Sequence, residues 1–75
     1  MKVKVTLWGD LPAHLENRGR HIDLEVHENA TVGRLKELLS IGPGWLATVD
    51  GQAALDEEHI REEAYVTLLA PMEGG

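Results

Sequence analysis

The chain has 75 residues, no cysteine and a formal net charge of −6, from 13 acidic and 7 basic side chains. That length permits one small domain, which buries only roughly 60% of the surface its unfolded form exposes. Without cysteine there is no disulfide framework, thiolate metal site or cysteine nucleophile, and without a basic stripe there is no footprint for nucleic-acid phosphates. The start Met1-Lys2-Val3-Lys4-Val5 alternates, unlike a secretory signal, and no apolar run approaches the ~20 residues of a membrane span. A cytoplasmic protein is the default expectation, its acidic surface suited to a partner with a basic docking face.

Val3, Val5 and Leu7 alternate with Lys2, Lys4 and Thr6, the period-two pattern of a half-buried strand, and Trp8 falls on the polar parity at its end. Gly9-Asp10-Leu11-Pro12 breaks the run. Residues 13–20 read as a polar connection centred on a turn at Asn17, Arg18 and Gly19. A second strand follows, with Ile22, Leu24 and Val26 inward and His21, Asp23, Glu25 and His27 outward. Two amphipathic strands in succession predict an antiparallel hairpin with one wet face.

Thr31 is a good N-cap for the clearest helix, in which Val32, Leu35, Leu38 and Leu39 recur at helical spacing. Arg34, Lys36 and Glu37 are assigned to its other side, and Gly42-Pro43-Gly44 ends it. A third strand is predicted over 45–49 with Ala47 and Val49 inward, followed by the tight-turn pair Asp50-Gly51. Signals weaken over 53–64, where 56–61 reads as one short helical turn with Ile60 tucked in and Glu57 four residues before Arg61. The last strand is 65–70, with Val66 and Leu68 inward. The order predicts an α+β domain, a mixed sheet covered on one face by one helix, with the first and last strands parallel and central if adjacent.

In this order and spacing the chain resembles the ubiquitin-like β-grasp sulfur carriers of the MoaD/ThiS type. The relatives meant are the small subunit of molybdopterin synthase and the thiamine-pathway sulfur carrier. The residues that carry the resemblance are Val3-Lys4-Val5-Thr6-Leu7-Trp8-Gly9-Asp10-Leu11, then Ala30-Thr31-Val32-Gly33-Arg34-Leu35 and Val49-Asp50-Gly51-Gln52. It ends on Val66-Thr67-Leu68-Leu69-Ala70-Pro71-Met72-Glu73-Gly74-Gly75. The resemblance implies a four- to five-stranded mixed sheet on one main helix, a β-grasp domain over 1–70 and a flexible tail over 71–75. Glu63-Ala64 stands where the family has Gly-Asp, so that turn must be built differently. The short helix and the long first connection leave the pathway open.

The resemblance also implies that Gly75 is the reactive residue. An ATP-dependent activating enzyme (ThiF/MoeB-like) would join its carboxylate to AMP. Sulfur from a desulfurase or rhodanese-like donor would then give a thiocarboxylate, which an acceptor synthase consumes for molybdenum-cofactor or thiamine biosynthesis or tRNA thiolation. ATP belongs to the activating enzyme; the carrier binds no cofactor or metal, has no catalytic residue of its own and is a monomer when free. Physics is compatible with that role. Gly74 and Gly75 lack a Cβ and can thread a narrow channel, and Pro71 cannot donate to a sheet ladder. Met72, Glu73, Gly74 and Gly75 give roughly 13 Å of reach at ~3.3 Å each. Two alternatives share the scaffold: a ubiquitin-like modifier conjugated through Gly75 to lysines, and a non-catalytic interaction module.

Trp8, Thr67 and Leu69 share the outward parity of their strands, with Leu46 joining them, as a candidate docking patch for the activating and acceptor enzymes. The opposing view makes Trp8 and Leu69 a minor core beneath 10–20. His21 and His27 sit ~20 Å apart on one strand, too far to share an ion. Gly42-Pro43-Gly44 follows a helix and lacks the Lys-Ser/Thr of a phosphate loop. Ser40 is the only serine and has no neighbouring base. The carboxylates at 56–58 and 62–63 read as a solvated acidic turn rather than a general acid/base pair.

Overall fold

In the computed structural model, which describes residues 1–16, 19–42 and 44–71, the opening alternation becomes β1, Lys2–Trp8, with Val3, Val5 and Leu7 fully buried. The elements after it are α1 (Ala13–Glu16), β2 (His21–Glu25), α2 (Val32–Leu38), β3 (Leu46–Val49), β4 (Gln52–Ala54) and β5 (Tyr65–Leu69). Asn17 and Arg18 of the expected turn, Pro43 of the helix-ending triplet, and Met72, Glu73, Gly74 and Gly75 of the tail lie outside the described residues.

The strands form one sheet in the order β2-β1-β5-β3-β4. β1 and β5 lie side by side and parallel, as anticipated, and every other pairing is antiparallel. Register stacks the inward residues in rows. Ile22 faces Val5, Val5 faces Val66 and Val66 faces Val49, while Leu7, Leu68, Ala47 and Ala54 form the next row. Val32, Leu35 and Leu39 of the helical segment bury against this face. The two-residue turn Asp50-Gly51 closes β3 onto β4, with Asp50 at φ 50° and Gly51 at φ 86°, the geometry such hairpins favour. β4 was not anticipated as an element, because three residues with two alanines carry almost no periodicity.

Three expectations need correction. Residues 13–20 are not only a polar connection, since Ala13–Glu16 make a single helical turn that buries Leu15. One apolar residue in one turn has no period to detect. Residues 56–61 are not helical. Their backbone instead serves α2, with Val32 N–H donating to Glu58 (3.0 Å) and Gly33 N–H to Asp56 (2.9 Å). Those amides belong to the first helical turn, which has no partners of its own, and supplying them outcompetes a local helix. Ile60 is nevertheless buried, as expected.

The third correction concerns α2. Leu38 is exposed, whereas Lys36 is buried at 5% relative exposure. Residues 32, 35, 36 and 39 follow the i, i+3, i+4, i+7 stripe that faces a core. Position 36 lies on that stripe, and a lysine can occupy it because Asp56 and the Trp45 carbonyl accept from its ammonium. Thr31 caps the helix as anticipated, its hydroxyl accepting from Arg34 N–H at 3.2 Å. The other end is a Schellman closure, with Ile41 N–H to Lys36 and Ser40 N–H to Glu37, both 3.0 Å.

That closure puts Ser40 at φ 56°, and the turn before β5 puts Glu63 at φ 62°. The latter is the place where the resembled family has glycine. Left-handed backbone costs an L-residue about 1–2 kcal/mol, partly offset by the greater unfolded-state freedom of glycine. Ser40→Gly and Glu63→Gly should each therefore raise stability by about 0.5–1 kcal/mol, read from urea denaturation midpoints, whereas Ser40→Val should lower it.

Candidate functional site

The open face of the sheet is polar at one end and apolar at the other. On β2 and the start of β1, Lys2 faces Glu25 and Lys4 faces Asp23, with the Lys4 ammonium 5.3 Å from the Tyr65 ring centroid. A threonine row crosses the middle, Thr6, Thr67 and Thr48. At the far end, where β1 finishes and β5 gives way to the last residues, Trp8 pairs with Leu69 and Leu69 with Leu46. Adjacent strands lie ~4.8 Å apart, so this row spans roughly 10 Å.

Its members stand free of the body. Trp8 is 55% exposed, Leu46 67% and Leu69 37%, and Leu55 just past β4 is 69% exposed. Large apolar side chains held in solvent by regular strands mark a contact surface better than scattered ones do. Leu46, Leu55 and Leu69 also line one cleft of about 550 Å³, together with Trp45, Lys36, Asp56 and Glu57.

Beside the row lies the point where the chain leaves the sheet. Ala70 N–H donates to Trp8 C=O at 2.8 Å, which extends the parallel pairing one residue past β5. Gly9, at φ 102°, presses against this residue so closely that an added Cβ would meet Ala70 Cβ at 2.7 Å. Pro71 follows and is exposed. A cleft of about 570 Å³ surrounds this exit, lined by Gly9, Asp10, Leu11, Pro12, Trp45, Ala70 and Pro71. Buried Trp45 borders both clefts. Asp10, Asp56 and Glu57 give the two clefts an acidic rim, and Lys36 is the one basic side chain among the described residues that line them.

No protein-family model and no curated protein matches the chain. Solved structures do. SAMP1 from Haloferax volcanii superposes at TM-score 0.78 with 21% identity, over 100% of both chains. A Pyrococcus furiosus protein assigned as molybdopterin converting factor subunit 1 superposes at 0.72 with 19% identity, over 96% of this chain and 99% of that one. Ubiquitin from Caldiarchaeum subterraneum does so at 0.66 with 25% identity, over 100% and 98%. The chain has the ubiquitin-like β-grasp fold.

Within this β-grasp the four residues expected to form a patch, Trp8, Thr67, Leu69 and Leu46, all lie on the open face. Trp8 and Leu69 are not covered by the connection after β1. Two neighbours of the patch were not anticipated. Leu55 followed a strand that the sequence did not reveal, although an apolar residue next to a charged run could have prompted the question. Lys36 was assigned to the solvent side of its helix. The histidines stand apart. His21 Nδ1 lies 3.2 Å from Thr6 Oγ1 and His14 Nε2 donates to Leu39 C=O at 2.8 Å. Among the described residues no group of three or more His, Asp or Glu side chains is placed to hold a metal ion. Among them, too, no helix is long and apolar enough to cross a membrane.

The contact between Gly9 and Ala70 is testable on its own. Gly9→Ala should destabilise the fold by about 2–4 kcal/mol, from overpacking and a left-handed backbone together. Adding Ala70→Gly should recover only the overpacking part. Urea denaturation of the two variants separates the contributions.

Proposed function

We propose that this β-grasp protein is a sulfur carrier whose Gly75 carboxylate is activated as an acyl-adenylate and converted to a thiocarboxylate. The observation that supports this most is the convergence of two features. The central strand β5 runs out of the sheet beside the row of exposed apolar side chains Trp8, Leu69 and Leu46, and the sequence then continues Met72-Glu73-Gly74-Gly75. A carrier needs both parts at one end: a surface by which an enzyme recognises it, and a reactive group delivered from that surface.

In this proposal the carboxylate attacks the α-phosphorus of ATP within the activating enzyme, and pyrophosphate leaves. A sulfur nucleophile then displaces AMP. The carrier supplies no acid or base; its share is docking and delivery. Docking would use Trp8, Leu46, Thr67 and Leu69 as the apolar centre, while the acidic rim of Asp10, Asp56 and Glu57 favours a basic partner surface and a faster encounter. Pro71, Met72, Glu73 and Gly74 would thread into the enzyme.

A second reading is a modifier joined through Gly75 to lysines, favoured by the likeness to SAMP1 and to ubiquitin. Both readings use the same activation.

Intact mass spectrometry of protein isolated from its native cell should show a species with one oxygen replaced by sulfur. Persistent absence of that species while a sulfur-requiring pathway runs overturns the carrier, and tail-derived remnants on lysines of other proteins favour the modifier instead. Function that survives deletion of Gly75 rejects both and leaves an interaction module. Leu46→Asp should weaken association with the activating enzyme at least roughly tenfold while changing stability by no more than about 0.5 kcal/mol, as expected for an exposed docking residue.

A further inference from the structure

The one buried cation among the described residues is not used by any step above. Lys36 Nζ donates to Asp56 Oδ1 at 2.7 Å and to the Trp45 carbonyl. A buried ammonium is costly unless it is paired and hydrogen-bonded, and both partners are supplied from elsewhere in the chain. Asp56 is itself immobilised. Its carbonyl accepts from Gly33 N–H, and a Cβ on Gly33 would crowd that carbonyl at 3.3 Å. Lys36 and Asp56 thus form a strut with both feet on the same helix.

The third end of the strut is Trp45, the residue immediately before β3. The next residue, Leu46, pairs with Leu69, the last residue of β5. Trp45 itself lines the cleft around Pro71, and a methyl group on the neighbouring Gly44 would touch Pro71 at 3.8 Å. On one side, then, Ala70 is fixed by Trp8 and Gly9. On the other, Lys36 bonds the residue that lines the cleft with Pro71.

We propose that Lys36, held by Asp56, is a positioning residue for the end of β5: by anchoring the Trp45 carbonyl it sets the start of β3 and hence where Ala70 and Pro71 stand. Its use in activation rests on the reading of Gly75 as the reactive residue. Its effect on the exit does not.

The test separates these. Lys36→Met keeps an unbranched buried side chain and removes the donors, a replacement that buried ion pairs often tolerate. Amide hydrogen exchange of the whole chain should then show Leu46 and Ala70 exchanging at least roughly tenfold faster than in the parent, with the β1–β2 ladder changed far less. A uniform change that tracks global stability, or none at Ala70, overturns the proposal. If Lys36→Met does not fold, Asp56→Asn, which retains an acceptor oxygen but no charge, is read by the same comparison and decided by the same outcomes. With an activating enzyme that accepts the parent chain, ATP–pyrophosphate exchange at saturating carrier should show kcat lowered in the variant, because delivery suffers even where excess carrier offsets any weakening of docking through Leu46. Equal kcat overturns the positioning role. An arm that loosens in a chain whose parent is never adenylated sinks the sulfur-carrier reading and leaves the strut standing.

Discussion

Parallel pairing of β1 with β5 is the constraint on which the rest of the molecule depends. The two strands come from opposite ends of the sequence, yet they lie together inside the sheet, with β2 on one flank and β3 on the other. Bringing them together sends β2 to one flank of the sheet and β3 and β4 to the other, while α2 crosses one face and covers the core. The same pairing decides where the chain leaves. A strand bonded on both sides fixes where Ala70 stands, whereas an edge strand is held on one side alone. Gly9 completes the arrangement, since only a residue without a Cβ lets β1 turn away while Ala70 still bonds to Trp8.

The two sheet faces divide the labour. The inner face holds Val3, Val5, Leu7, Val66 and Leu68 against α2 and supplies the apolar burial that a domain this small depends on. The outer face, free of that duty, grades from paired charges to exposed leucines and a tryptophan. Under the proposed docking, such a gradient would give a partner both orientation and adhesion, since polar groups at one end would disfavour a reversed pose.

Among the described residues the buried charged side chains reduce to one, and it has a structural logic. Lys36 occupies a core position that an aliphatic residue could fill, but it joins three segments far apart in sequence, the helix, the residue before β3 and the loop before β5. Apolar contacts at that site would give burial without direction. An ammonium with two fixed acceptors specifies where its neighbours stand, so the device suits a region whose geometry matters more than its stability.

The strands with clean alternation, the capped helix, the Asp50-Gly51 hairpin and the outward parity of Trp8, Thr67 and Leu69 were all legible in the chain, because each is a local property of adjacent residues. It also carried the diglycine ending and the resemblance that suggested its use. Only the tertiary structure decided what depends on partners distant in sequence. Residues 56–61 abandoned a local helix because the first amides of α2 needed acceptors. Lys36 turned inward because Asp56 and the Trp45 carbonyl were there to receive it. β4 became a strand because β3 offered it a ladder, and Leu55 thereby arrived beside Leu46 and Leu69. Local propensity is written in neighbouring side chains, whereas the satisfaction of a buried donor is settled only when the far end of the chain arrives.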